Sequence, residues 1–178
     1  MPQKGWIFDI SSCIGCHTCT VACKAENNNL EIQTSGSNIS YRTVIETEGG
    51  TYPNVTRSFF SMPCYHCADP ACLMSCPVGA ITKGSDGIVV IDDDKCIGCR
   101  YCMSSCPYGA PRFDPKTKKV VKCSFCKHRL DAGFEPACLT SCVGGAISMV
   151  DDITPDYDDA PDDFAPGNLT NPSVEFKK

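Results

Sequence analysis

Sixteen of the 178 residues are cysteines, and they fall into four quartets with none left over. The quartets are Cys13, Cys16, Cys19, Cys23; Cys64, Cys67, Cys72, Cys76; Cys96, Cys99, Cys102, Cys106; and Cys123, Cys126, Cys138, Cys142. Cysteine at this density leaves two broad classes, a disulfide scaffold or a metal protein. A bridged scaffold needs an exporting signal, and MPQKGWIFDISS has no basic stretch followed by a long apolar run. Cysteines three apart also lie within one or two turns of chain. Pairing all sixteen with one another would strain many of the bridges. The chain is expected to hold metal.

The first and third quartets share the spacing C-x2-C-x2-C-x3-C. In that spacing three thiolates hold one [4Fe–4S] cluster and the fourth reaches across to another. Iron is soft enough to prefer thiolate, and a cubane needs one ligand per iron. Four quartets therefore imply four [4Fe–4S] clusters, and so many one-electron centres on a short chain read as a wire. A tight C-x2-C-x2-C loop wraps three corners of a cube and cannot bend its next cysteine onto the fourth corner. The second and third quartets are joined by Pro77–Lys95, which contains a plausible turn and strand. They are expected to exchange fourth ligands: Cys64, Cys67, Cys72 with Cys106, and Cys96, Cys99, Cys102 with Cys76. The outer quartets are then left to pair by elimination: Cys13, Cys16, Cys19 with Cys142, and Cys123, Cys126, Cys138 with Cys23. Pro77 and Pro107 follow the fourth cysteines of the inner pair, where the outer pair has Lys24 and Val143. The outer clusters are expected to differ in hydrogen bonding, hence in potential.

The chain repeats itself. Cys13-Ile14-Gly15-Cys16 resembles Cys96-Ile97-Gly98-Cys99, and Pro70-Ala71-Cys72-Leu73 resembles Pro136-Ala137-Cys138-Leu139. Quartet one matches three and quartet two matches four, as in a duplicated two-cluster unit. The fold expected is α+β: two ferredoxin-like units with a β-hairpin insertion and an irregular acidic C-terminal tail. Residues 1–26 and 107–150 would form the outer unit, 62–106 the inner unit, and 27–61 the inserted hairpin. Strands are expected at Gly5–Ile10, Ile39–Glu46, Thr56–Ser61 and Ile88–Asp92, with Gly49-Gly50 turning the hairpin. Arg112-Phe113 and Lys118–Lys122 should flank a turn at Asp114–Thr117, and Cys19–Ala25 and Cys102–Cys106 should be short helical turns. No large apolar core is foreseen; the clusters themselves would serve as one. Residues 151–178 hold eight acidic side chains, two lysines and four prolines. They read as a solvated tail. The other reading is an arm lying on a partner, anchored by Phe164, Leu169, Val174 and Phe176.

The formal charge is −5, and counting coordinated thiolates and cluster cores takes it to about −13. Such acidity argues against a nucleic-acid partner. No stretch approaches the ~18 apolar residues of a bilayer span. His17, His66 and His128 lie near cysteines, but no quartet lacks a cysteine that a histidine would replace; they read as solvated or supporting groups. Lys24, Lys83, Arg100, Lys122, Lys127 and Arg129 near the quartets read either as groups that raise cluster potentials or as a solvated basic rim that balances the clusters. No nucleophile–base pair, phosphate loop or paired carboxylates stand out, so the chain is expected to have no substrate chemistry of its own.

Three strings carry a resemblance. One is Cys96-Ile97-Gly98-Cys99-Arg100-Tyr101-Cys102 running into Cys106-Pro107-Tyr108-Gly109-Ala110-Pro111. Another is Cys64-Tyr65-His66-Cys67 before Pro70-Ala71-Cys72. The third is Lys122-Cys123-Ser124-Phe125-Cys126 leading to His128-Arg129-Leu130 and Pro136-Ala137-Cys138. Over about residues 4–150 the chain resembles the iron–sulfur subunit of the dimethyl sulfoxide reductase family. That resemblance implies a large partner subunit carrying a molybdenum or tungsten bis-pterin, and a redox partner that is a membrane quinone-reactive subunit or a soluble electron donor. It implies the same crossed ligation and an order, with the Cys13 cluster nearest the catalytic subunit, then those of Cys123, Cys64 and Cys96. Nitrate reductase relatives carry Trp at the position of Cys99 and hold three irons there; Cys99 implies four. Two departures stand out: Val143 replaces the family's usual proline, and the long C-terminal extension of some relatives is missing, which leaves membrane anchoring open. Without a signal of its own, the chain is expected in the cytoplasm or exported folded with a partner. The competing readings are a free-standing polyferredoxin and a zinc-bound interaction module with all-cysteine sites.

Overall fold

The computed structural model describes residues 2–27, 39–162 and 164–178. Its organising strand is β1 (Gly5–Asp9), where Trp6 and Phe8 point inward and alternate with half-buried Ile7. β1 is the middle of a three-stranded sheet. On one side β8 (Ile147–Val150) pairs antiparallel; on the other β9 (Val174–Lys177) pairs parallel. Three two-stranded antiparallel ladders complete the β structure. They are β2 (Thr43–Thr51) with β3 (Asn54–Met62), β4 (Ile81–Lys83) with β5 (Val89–Ile91), and β6 (Arg112–Asp114) with β7 (Lys119–Val121). The helices are short: α1 (Thr18–Glu26), α2 (Ala71–Met74), α3 (Tyr101–Ser105), α4 (Lys127–Asp131) and α5 (Ala137–Thr140). The result is a mixed α+β fold of the ferredoxin-like kind. Among the described residues no helix is long and apolar enough to cross a membrane.

The expected strands before the first loop and around both short turns are present. At the β6–β7 turn, Asp114 accepts hydrogen bonds from the Lys116 N–H and the Thr117 hydroxyl, both at 2.8 Å. This is the local bonding that favours Asp at a turn. The long hairpin differs from expectation. Its turn is Tyr52-Pro53, while Gly49 and Gly50 lie within β2 opposite Thr56 and Val55. Proline cannot donate to a ladder and fixes its φ, so it takes the turn. Gly50 has φ 78° and its Cα lies so near the Asn54 carbonyl that an added Cβ would stand 2.2 Å from the oxygen. Glycine is needed there as a strand residue in close approach. The strand expected to begin at Ile39 begins at Thr43, and residues 28–38 of the proposed insertion lie outside the described residues.

Two further expectations are corrected. The acidic tail is largely without regular structure over 151–173, but it is neither free in solvent nor reserved for a partner. It folds back on its own chain, where β9 sets Val174 beside Trp6 and Phe176 beside Phe8. Glu175 and Lys177 stay nearer solvent. Period-two alternation thus hides two core residues in an acidic segment. Phe164 joins them, stacked on Tyr108 at 5.1 Å and edge-on to Phe176 at 4.9 Å. Leu169 remains exposed. The second correction concerns the core, which is apolar and aromatic. Trp6 stacks on Phe125 at 4.0 Å with 9° between the planes, and Tyr65 meets Tyr108 edge-on at 5.1 Å. Such pairs add stability beyond the area they bury.

Phe176→Ala should destabilise the protein by about 3–5 kcal/mol, whereas Leu169→Ala should cost under ~0.5 kcal/mol. Denaturant unfolding of the two variants checks the difference, and equal values would mean that the tail does not dock in solution.

Candidate metal centres

Each three-cysteine loop is shaped by residues in the left-handed region. In the loop Cys13–Cys19 these are Gly15 (φ 66°) and His17 (φ 58°); in Cys96–Cys102 they are Gly98 (φ 69°) and Arg100 (φ 68°). The same two positions curl both loops, and a helix follows each at once. At Gly98 an added Cβ would stand 2.1 Å from the Lys118 carbonyl oxygen. Backbone N–H groups turn toward sulfur in places: Ala80 N–H to Cys76 Sγ at 3.3 Å and Phe125 N–H to Cys123 Sγ at 3.4 Å.

The fold brings cysteines together from distant parts of the chain. One cavity is lined by Cys13, Cys16, Cys19 and Cys142, with Ile14, His17 and Ser61 among its other walls. Another is lined by Cys64, Cys67, Cys72 and Cys106, and a third by Cys76, Cys96, Cys99 and Cys102. Counting their open mouths, they enclose about 320, 380 and 310 Å³ of atom-free space respectively. The remaining cysteines also meet. Burial pushes the Cys23 thiol up, and the neighbouring Cys123, Cys138 and Cys126 push it further. Each of these groupings matches one set of four expected from the sequence. Among the described residues, no three of His, Cys, Asp and Glu converge tightly enough to hold a single ion.

Burial dominates the electrostatics. The Cys67, Cys72 and Cys123 thiols are each pushed up to about 12, first by loss of water and then by neighbouring sulfurs, though polar neighbours partly oppose the shift. Cys76 is the contrast. Burial is the largest single influence and raises it, but the N–H groups of Ala80, Val78, Ile81 and Gly79 together outweigh that and hold it below the ordinary thiol value. Glu26, near the end of α1, forms an ion pair with Arg129 at 2.9 Å and meets His128 at 2.8 Å. That latch ties the helix carrying Cys23 to α4, directly after Cys126.

The three histidines have separate roles. His17 and His66 line cavities beside complete sets of four cysteines. His66 is fully buried and accepts a hydrogen bond at Nδ1 from the Val89 N–H at 3.0 Å. Of the expected basic rim, Lys24 and Lys122 are buried, not solvated; Lys122 donates to the Cys123 carbonyl at 2.9 Å and to the Val89 carbonyl. Sequence reasoning passed over Arg42 and Ser61. Both are buried beside the cysteines, and neither belongs to a repeat or a spacing pattern that would have marked it.

Residues 55–152 match the 4Fe-4S dicluster domain family. The chain is 34% identical to one chain of the anaerobic dimethyl sulfoxide reductase of Haemophilus influenzae, across 99% of this chain and 90% of that one. It is 38% identical to one subunit of the tetrathionate reductase of Salmonella typhimurium, across 96% of this chain and 70% of that one. This protein belongs to the iron–sulfur subunits of the dimethyl sulfoxide reductase family. Another relative is a subunit of the selenate reductase of Mesobacillus selenatarsenatis, 40% identical over 84% of this chain; the chain spans 61% of that protein's length. Iron–sulfur subunits of this family transfer electrons and carry out no substrate chemistry themselves. The donor set suits that cofactor: every candidate ligand is a soft sulfur, and iron–sulfur centres are held by thiolates.

In this iron–sulfur subunit Gly98→Ala should be damaging, because the added methyl meets backbone that cannot rotate away. A cost of about 1–3 kcal/mol for the strained conformation alone should come with loss of iron from the adjoining site. Unfolding and iron analysis of the purified variant check both; wild-type iron content would show that the loop relaxes.

Proposed function

We propose that the chain carries four [4Fe–4S] clusters and relays electrons between a molybdenum or tungsten bis-pterin catalytic subunit and a second redox partner. The carrying observation is the meeting of each three-cysteine set with a fourth cysteine from elsewhere in the chain. Cys13, Cys16 and Cys19 would be completed by Cys142; Cys123, Cys126 and Cys138 by Cys23; Cys64, Cys67 and Cys72 by Cys106; Cys96, Cys99 and Cys102 by Cys76. A [4Fe–4S] cluster supplies one-electron redox chemistry and needs four thiolates set apart at its corners. The match to a 4Fe-4S dicluster family favours this over the zinc reading, in which four sulfurs surround a single ion. Cys99 keeps a full set of four at the last site.

The placement of the sets supports a line. Arg42 feels both Cys19 and the Cys123–Cys138 set, so the first two sites are neighbours. Cys64 acts on Cys123, which links the second site to the third. Cys72, Cys76, Cys96 and Cys102 pack in one apolar group, which links the third to the fourth. The recurring loop conformations, with β1 pairing β8 across the outer sites and β5 pairing β4 across the inner ones, favour two related two-cluster units. The outer unit would comprise 1–26 and 107–150, the inner unit 62–106.

Both ends of the line are rimmed by exposed apolar side chains. Ile14 borders the cavity of Cys13, and Ile97 and Val78 that of Cys96. Exposed apolar groups clustered around a site suit docking. The relatives named as reductase subunits favour the catalytic partner over a free-standing polyferredoxin. The partner at the far end would be a quinone-reactive membrane subunit or a soluble donor.

Anaerobically purified protein should contain about sixteen irons and as much sulfide, four per cluster, and a large pterin-containing subunit should co-purify. Fewer than four irons per set would defeat the four-cluster reading. Cys142→Ser should damage the centre of Cys13, Cys16 and Cys19, although those residues lie far away in sequence. Loss of the centre of Cys123 and Cys126 instead, seen by electron paramagnetic resonance, would refute the crossed ligation.

A further inference from the structure

Arg42 is 1% exposed, yet its charge has no carboxylate against it among the described residues. Its guanidinium lies 4.5 Å from the Trp6 ring centroid, and Nη1 donates to Ser61 Oγ at 2.8 Å. Nε and Nη2 are buried with no hydrogen-bond partner. An unpaired buried cation is expensive, and two idle donors add to the cost. The anions within reach are sulfurs: the groups acting on Arg42 are Cys138, Cys123, Cys19 and Cys23, drawn from both outer sets. The link to one of them is direct. Ser61 Oγ lies 3.4 Å from Cys19 Sγ. A ligating Cys19 is a thiolate and has no proton to give, so Ser61 must be the donor of that bond. Its oxygen accepts from Arg42 while its hydrogen points at sulfur.

We propose that Arg42 and Ser61 set the potentials of the outer pair of clusters: Arg42 as a buried charge acting on both, Ser61 as a hydrogen bond to Cys19 alone. The inference rests on the cluster assignment under Proposed function. Reduction adds one electron, taken from the neighbouring centre in the line, and so one negative charge. A cation beside the cluster and a donor on its sulfur both favour the more negative state, and both raise the reduction potential. Low polarity around Arg42 strengthens the effect. Both residues belong to the long hairpin and its approach: Ser61 lies in β3, and Arg42 immediately precedes β2. The base of the hairpin then tunes the wire's outer section. Arg42 and Ser61 are positioning residues that act through charge and through Cys19; neither is a ligand.

The test is a dithionite titration of the full loaded protein, in its complex where it purifies as one, followed by electron paramagnetic resonance. Signals are assigned with Cys142→Ser and Cys23→Ser. Ser61→Ala should lower the midpoint potential of the Cys19 centre alone, and Ser61→Thr, which keeps the hydroxyl, should restore it. Arg42→Met should lower both outer centres and leave the inner two in place. A merely structural role for these residues would not produce that pattern of one, two and none. Unchanged potentials in Ser61→Ala with full iron content would overturn the proposal, as would an equal shift of all four centres. If Arg42→Met fails to load iron, Ser61→Ala against Ser61→Thr decides. A wild-type protein with fewer than four clusters but one at Cys19 would defeat the four-cluster reading and leave the Ser61 comparison intact.

Discussion

The fold gathers the cysteines into groups that each join residues of one loop to a cysteine from a distant part of the chain. Cys142 comes to Cys13, Cys16 and Cys19 across more than a hundred residues of chain, and Cys23 is brought to Cys123, Cys126 and Cys138. Long closures are entropically unfavourable, although the cost grows slowly with length. The rest of the fold is arranged to meet it. β1 leads into the first loop and β8 leaves the last one; their antiparallel pairing holds the first and last cysteine loops side by side. The Glu26–Arg129 ion pair does the same for α1 and α4. Partly exposed ion pairs contribute little stability on average, so the latch matters more for where it holds Cys23 than for its energy.

Between the sites lies a core that such short elements could not build alone. Among the described residues no helix exceeds nine residues, and most strands have three to five. What they share is aromatic surface. Trp6 of β1 stacks on Phe125, which lies between two cysteines of the fourth loop, and its indole N–H donates to the Cys64 carbonyl at 3.2 Å. A single side chain thus touches the framework of two sites. β9 then covers the free edge of β1, removing an unpaired strand edge from a protein with few residues to spare for covering one.

The inner cysteine groupings could be expected from spacing, because three residues of loop can reach only so far around a cube, and the outer ones only by elimination; the structure brings the same cysteines near one another. The short turns were legible for the same local reason, Asp114 and the residues after it. The hairpin turn was misplaced because two adjacent glycines and a proline compete as turn signals, and the proline excludes itself from the ladder more firmly than glycine does. The tail was misread because eight acidic residues dominate its composition, while Phe164, Val174 and Phe176 are too few to make a periodic pattern visible. Arg42 had no signal at all. Its significance comes from burial and from two unpaired donors, which only coordinates reveal.

Arg42 also makes the fold and its contents interdependent. The protein is acidic overall, and coordinated thiolates make it more so. Cations at the surface are the ordinary balance for such charge, but of the six basic residues near the loops Arg100 alone is exposed, while Lys83, Lys127 and Arg129 are half-buried and Lys24 and Lys122 are buried. A guanidinium buried against Trp6 obeys a different balance. With protonated thiols around it, its desolvation is offset only by Ser61 and the indole face. With anionic sulfurs around it, the same burial becomes favourable, because attraction in a poorly polar interior is strong and falls slowly with distance. The interior near Arg42 is therefore fully compensated only when the surrounding sulfurs are charged, which is the state that binding to metal enforces. On the four-cluster reading proposed above, loading of the outer sites and consolidation of the core at the hairpin base are one process.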